Sequence, residues 1–372
     1  MTVLLWILGI LAVPTLIFIL WMAWVFAKAY VKASRSPGAE DGDGGNRSEA
    51  AEKFGLLPPE RQNTDHAAPL PADWAAALSA VRGGEWRPAA DLLRGIGRDW
   101  ERRSAAAVLL AERAAEDDTW LLDWETEHPD DPDAAVLRAR STVILAWRIR
   151  GAQRANHTTQ EQFEGFHRML ARSREEIARA AALNPDDPTP YITEIWVALG
   201  LGYPNSEMDK LWTELTARAP HHYEAHFSAL QYWCAKWRGS ERLATEFAER
   251  AAADAPLGSL LTALPLIAHY EHDESEDSAV DRTPEMVARV DAALADAAAA
   301  DPAHPRLPEL RHLLAYYLSL QDRDEAALEQ FKLVDGYVNA LPWRYRGDMA
   351  DYYCGVRDAS AAAVAASAEP TA

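Results

Sequence analysis

Five prolines constrain this chain more than any other feature. Pro129, Pro185, Pro220, Pro256 and Pro302 each follow an acidic or alanine-rich stretch and open another, in the contexts HPDDPD, NPDDPT, APHHYE, DAPLGS and DPAHPR. Proline has no N–H and its ring clashes with the preceding helical turn, so a helix ends before it or begins with it. The steps between these prolines are 56, 35, 36 and 46 residues. Two of the four match the period of a helix-turn-helix repeat, in which each hairpin buries its apolar face only by stacking on its neighbours.

The stretches between the breaks carry helical periodicity and no convincing strand. Tyr223, Phe227, Leu230, Cys234 and Trp237 fall on one apolar stripe, and Ala327, Phe331, Val334, Val338 and Leu341 repeat the spacing. Earlier hairpins are expected over Asp73–Val81 with Arg87–Ile96, and over Trp100–Ala115 with Trp120–Glu127. The long step from Pro256 to Pro302 is explained by an acidic insertion at 271–281, EHDESEDSAVD, which is expected to stay out of the core. These boundaries predict a helical-repeat domain over residues 73–357.

Upstream the chain changes character. No charged residue occurs from Val3 to Ala27, and at ~1.5 Å per residue such a helix crosses a ~30 Å hydrocarbon layer. Residues 1–30 therefore read as a single transmembrane anchor, with Trp21, Trp24 and Tyr30 as interfacial rings. A cleaved signal peptide is the alternative, but no Lys or Arg precedes the apolar run and Lys28 follows it directly. Lys28, Lys32 and Arg35 on the inner flank predict a cell-membrane, single-pass protein whose soluble domain is cytoplasmic. Residues 31–72, rich in Gly, Pro and Ser, read as a flexible linker, and residues 358–372 as a disordered tail.

Charge narrows the partners. The chain has 37 basic and 57 acidic residues, a net −20, and such a field repels phosphate backbones, which argues against nucleic acid and favours a basic protein or peptide. The bilayer is a further partner through the anchor. Two cysteines, Cys234 and Cys354, make neither a disulfide framework nor a zinc ribbon.

Two resemblances rest on specific residues. NPDDPTPYI, and DPAHPRLPELRHLLAYYLSLQDRDEAALEQF with Ala327 and Phe331, look like tetratricopeptide repeats. YWCAKWRGSERLATEFAERAA, residues 232–252, is similar to a bacterial helical-repeat family of unknown function that places a Lys-Trp-x-Gly-Ser turn between two helices, matched by Lys236, Trp237, Gly239 and Ser240. The resemblance covers roughly residues 120–340. It implies a helical-repeat fold and no activity; together with the apolar segment at 1–30, the architecture expected is all-α, an N-terminal transmembrane helix followed by a right-handed superhelix of tetratricopeptide-like hairpins.

No complete catalytic or cofactor motif is present, so no enzyme and no cofactor is expected. His222 and His226, beside His221, have the i, i+4 spacing that lets two imidazoles share a metal, and a metal-dependent hydrolase is the alternative function. HHYEAH lacks the glutamate of the metalloprotease pattern and offers no third ligand, so these histidines read as structural and no metal is assigned. The leading candidate is the turn: Trp233, Lys236, Trp237 and Arg238 as binding residues, Gly239 and Ser240 as its structural elements, with Ser240 capping the next helix. Trp233 and Lys236 are expected to share an exposed strip with His222 and His226. The function expected is a membrane-anchored protein–protein interaction or scaffolding module.

Overall fold

A computed structural model describes residues 44–151, 159–273 and 278–368 of the protein. Among them are sixteen α-helices and no strand. In chain order they are α1 Gly44–Lys53, α2 Ala72–Arg82, α3 Arg87–Ile96, α4 Trp100–Ala114, α5 Thr119–Glu127, α6 Pro132–Arg150, α7 Gln160–Leu183 and α8 Thr189–Leu201. Then follow α9 Asn205–Arg218, α10 Tyr223–Trp233, α11 Glu241–Ala253, α12 Ala263–His272, α13 Pro284–Ala299, α14 Leu307–Leu320, α15 Asp324–Val334 and α16 Met349–Ala368. The described residues divide into two compact units, one of residues 68–272 with 291–310, the other of the remainder.

In the larger unit successive helices pair as hairpins, α2 with α3, α4 with α5, α6 with α7, α8 with α9 and α10 with α11. The first helices of these pairs also pack side by side, from α2 through α4, α6, α8 and α10 to α12, so they form one continuous layer. Local chemistry sets the ends. Asp131 caps α6, accepting from the amides of Asp133 and Ala134, with Pro132 in the first turn. Thr159 and Gln162 form a reciprocal capping box on α7. Gly202, at φ +70°, terminates α8 in the left-handed conformation.

The core of the first hairpins is built from large rings set among alanines. Trp74, Trp86, Trp120, Trp124, Leu93 and Leu110 are buried together with Ala77, Ala89, Ala106, Ala107 and Ala111. The alanines let the helix axes approach, and the indoles fill the space between; each large side chain so buried contributes about 1.5–3 kcal/mol. Trp86 stacks on Trp124 with centroids 5.3 Å apart.

The smaller unit holds the first surprise relative to the sequence. Residues 44–67 of the expected linker include α1, a 3₁₀ turn at Pro59–Arg61 and two buried alanines, Ala50 and Ala51. α1 packs on α16, where Ala51 and Leu56 meet Leu328 and Ala361. The strand-like pairing of Asn63 with Tyr337 continues the attachment, Asn63 donating to the Gly336 carbonyl at 2.8 Å and accepting from Val338 at 2.9 Å. Asp335 ties the pieces together: it accepts from the Leu57 amide, the Gln62 amide group, the Tyr353 hydroxyl and the buried Arg357 guanidinium. Gly and Pro content marks this stretch as irregular, and irregular backbone is ordered here because its polar groups find fixed partners.

Four further expectations change. Among the described residues no helix is long and apolar enough to cross a membrane, and the anchor expected at 1–30 lies outside them. The longest helices carry charge throughout, Glu161, Glu164, Arg168, Arg172 and Arg174 on α7 for example. The anchored architecture and membrane localisation are corrected accordingly: the fold is all-helical, with no spanning element among the described residues. The tail expected from 358 is helical to Ala368, with Ser360 and Ala361 buried. The acidic insertion at 271–281 is not all solvated, because Glu271 lies in the last turn of α12 with its carboxylate on Lys236 and Asp281 is 2 % exposed. Finally, α10 stops at Trp233 and α15 at Val334, so Trp237, Val338 and Leu341 leave the helical stripes predicted for them. Val338 and Leu341 are buried from the loop instead.

Candidate functional site

The Lys-Trp-x-Gly-Ser turn connects α10 to α11 and closes on itself through backbone bonds. Trp237 and Gly239 donate to the Cys234 carbonyl, Ser240 donates to that of Trp233 at 3.0 Å, and Arg238 to that of Tyr232. Gly239 is sterically required, since a β-carbon there falls 1.7 Å from the Trp233 carbonyl oxygen. Ser240 caps α11 through the Leu243 amide at 3.2 Å, as expected from the sequence. α12 holds the other side: His272 accepts from the Ala235 amide at 3.1 Å, and Glu271 receives Lys236 at 2.7 Å. Lys236 is therefore a strut of the turn. Cys234, fully buried, has its thiol pushed up to about 12 by burial.

Trp237 projects from this turn into an aromatic group that the sequence does not announce. Trp147, near the end of α6, meets Trp237, Trp196 and Phe166 edge to face, with centroids 5.4, 6.1 and 4.9 Å away. Trp196 on α8 bonds the Ser228 hydroxyl at 3.1 Å. All three indoles are half-buried. The Arg150 guanidinium lies 5.4 Å from both the Trp147 and Trp237 rings. Arg238 lies against Gly202, where an added β-carbon would meet its Nη2 at 1.5 Å. Next to Gly202, Tyr203 carries Arg174 over its ring at 5.4 Å. Trp233 is half-buried against Tyr232.

The two candidate metal ligands part company. His222 is the N-cap of α10: its Nδ1 accepts from the Ala225 amide at 3.4 Å, which leaves the proton on Nε2, donated to the Trp100 carbonyl at 3.0 Å. The Ser104 hydroxyl, 3.2 Å from Nε2, completes that side. His226 donates from Nδ1 to the His222 carbonyl at 2.9 Å and lies between Trp212 and Phe247. Burial pushes its imidazole down to about 4. Each ring has its own hydrogen-bonded seat, and both are buried, so the two histidines do not share an exposed strip with Trp233 and Lys236.

Beside His222 runs a buried charge network absent from the sequence reading. Glu224 of α10 receives Arg140 of α6 and Arg306 from the loop before α14. Arg140 reaches Thr193 at 3.4 Å, and Arg306 also holds Glu309 at 2.8 Å. Burial alone would raise the Glu224 carboxyl; Arg306 and Arg140 overcome it and hold the group down at about 2. A second buried arginine, Arg103, binds Asp187 and Asp133. Every charge in these groups is matched within the fold, the arrangement of a structural lock across α4, α6, α8 and α10.

The sequence-predicted residues thus separate by role. Gly239, Ser240 and Lys236 build the turn, Trp237 and Arg238 face neighbours that come from α6, α7 and α8 or follow it, and Trp233 packs on Tyr232. Trp147, Arg150, Arg174, Trp196 and Tyr203 complete the site. The one sequence signal for them is the density of tryptophan, 14 in the chain. Compared with known protein families and with curated proteins, the chain matches none.

Proposed function

We propose that the protein is an interaction module, in which the stacked hairpins of residues 68–272 hold a peptide or protein segment at the face formed by Trp147, Trp196 and Trp237. The observation that supports this reading is the aromatic group itself. Three half-buried indoles meet edge to face through Trp147, with Arg150 lying over two of them. Tryptophan and arginine dominate the energetics of protein interfaces because they bring large area and directional donors at small entropic cost. Hairpin arrays commonly serve this purpose, since rigid helices hold such groups in register over several repeats. The tetratricopeptide-like resemblance of the sequence agrees with it.

The test is a photo-crosslinker in the full chain, a benzoylphenylalanine at position 237, with a second at Leu257, which is exposed and outside the site. A discrete adduct at 237 that Trp196→Ala removes is the expected result. An adduct pattern identical at 237 and 257 would refute the assignment of this face.

A further inference from the structure

The interaction face carries a feature that net charge conceals. In a chain with 57 acidic and 37 basic residues, most arginines of the larger unit lie against a carboxylate, for example Arg87, Arg98, Arg138, Arg148, Arg172 and Arg218. Arg150, Arg174 and Arg238 are neighbours that make no ion pair among the described residues. They are connected through rings and backbone: Arg150 lies over Trp237, Arg238 follows Trp237 in the chain and rests on Gly202, and Arg174 covers Tyr203 beside it. The carboxylates nearby are Glu194, Glu207 and Asp209; Glu194 bonds the Tyr203 hydroxyl at 3.4 Å and attracts Arg174 without forming an ion pair. Arg174 and Arg238 are exposed, and Arg150 is half-exposed.

Guanidiniums laid on aromatic faces are preorganised. The ring supports the flat side by a cation–π contact and leaves the edge N–H groups directed outward, where they match the two oxygens of a carboxylate. Two such groups, Arg150 and Arg174, with the exposed Arg238 held against Gly202 and half-buried indoles beside them, form a receptor for alternating negative and apolar side chains. A long polyanion is disfavoured, because the −20 field repels each phosphate that extends beyond the patch.

Resting on the interaction reading above, we infer that Arg150, Arg174 and Arg238, with Trp147, Trp237 and Tyr203, bind an acidic peptide segment whose carboxylates pair with the arginines and whose apolar side chains lie on the indoles. The local chemistry thus selects a partner opposite in sign to the basic one that net charge favours.

Fluorescence anisotropy on the full chain tests this with labelled peptides of equal length alternating tryptophan with glutamate, glutamine or lysine, and with labelled oligo(dT). The glutamate peptide binds best, and salt weakens it. Replacing all three arginines (R150Q, R174Q, R238Q) lowers its affinity by about tenfold or more. A control with the same charge change at exposed positions elsewhere, R82Q with R94Q and R242Q, leaves it unchanged; circular dichroism and melting confirm that both variants fold. Equal binding of the glutamate and glutamine peptides, or insensitivity to the three substitutions, overturns the inference. So does preferred binding of oligo(dT). A lysine peptide that binds in a Trp237-dependent way overturns the anionic assignment and leaves the interaction module standing. Failure of every probe also overturns the acidic-peptide assignment, while the crosslink at position 237 decides the module separately.

Discussion

Replacing Glu224 by glutamine tests whether the buried charge network carries stability. The carboxylate is 6 % exposed and lies between Arg140 and Arg306, with His222 as the other charged-capable neighbour acting on it. A carboxyl that titrates near 4.5 when unfolded and at about 2 when folded contributes about 3 kcal/mol. The sign follows from the depressed value: the contribution is complete above pH 4.5 and is lost as pH falls through 2. At pH 3 roughly 1.5 kcal/mol of it remains. An independent route gives a similar size, since removing one member of a buried ion group leaves its partners uncompensated and costs about 3–5 kcal/mol. Glu224→Gln is therefore expected to lose about 3 kcal/mol at pH 7 in urea unfolding followed by tryptophan fluorescence, with the deficit roughly halved at pH 3. Replacing Arg140 and Glu224 together by methionine leaves Arg306 paired with Glu309 and is expected to cost less than the single change. A deficit below about 1 kcal/mol at pH 7, or one that stays constant to pH 3, would show that the network is not held as described.

Four other substitutions follow from the same structure. His226 stays neutral when folded down to about 4 and is protonated near 6.5 when unfolded, so acidification across that window destabilises the protein by about 3 kcal/mol; His226→Phe removes this component, seen as a shrinking difference between the two proteins in urea titrations at pH 7 and 4. Gly239→Ala forces a β-carbon against the Trp233 carbonyl oxygen and is expected to cost about 2 kcal/mol or more. Gly95→Ala, in α3 with nothing within 4 Å of the added carbon, is expected to stabilise by about 0.5–1 kcal/mol; the two melting temperatures should move in opposite directions. Asp335→Asn weakens the acceptor shared by Leu57, Gln62 and Arg357, and hydrogen exchange at the Leu57, Asn63 and Val338 amides is expected to accelerate while amides of α6 and α7 are unaffected.

The hairpin series was legible because its signals are local. Pro129, Pro185, Pro220, Pro256, Pro302 and Ser240 act within a turn of where they stand, and the periodic apolar stripes reveal which face of a helix is covered. Ends that depend on distant partners were not legible. α1 and the residues up to His66 have a composition that suits a linker, and they are ordered by Asp335, Gly336 and Arg357, more than 270 residues away. The same holds for residues 358–368, whose Ala and Ser content gives no large apolar stripe but whose small side chains permit the close approach of α1 at Ala361. Low apolar bulk in a sequence is compatible with flexibility and with tight packing, and only the identity of the neighbour separates them.

The candidate site follows the same division, and that determines which part of it the sequence exposed. Lys236, Gly239 and Ser240 form a contiguous motif, and these are the positions whose role proves architectural: a strut, an enforced absence of side chain and a helix cap. The residues proposed for recognition are dispersed over α6, α7, α8 and the turn, with Arg150 and Trp237 separated by 87 residues in the chain yet only 5.4 Å from guanidinium carbon to ring centroid. A motif compact in sequence is thereby the frame, and it sets Trp237 where three arginines from separate helices and the turn can share its surroundings. Charge behaves alike. The −20 total reports the long-range field, which acts on any approaching partner, whereas three guanidiniums without an ion pair act within a few ångströms of contact. At that range the local groups outweigh the total, because screening at physiological salt reduces contributions beyond about 8 Å.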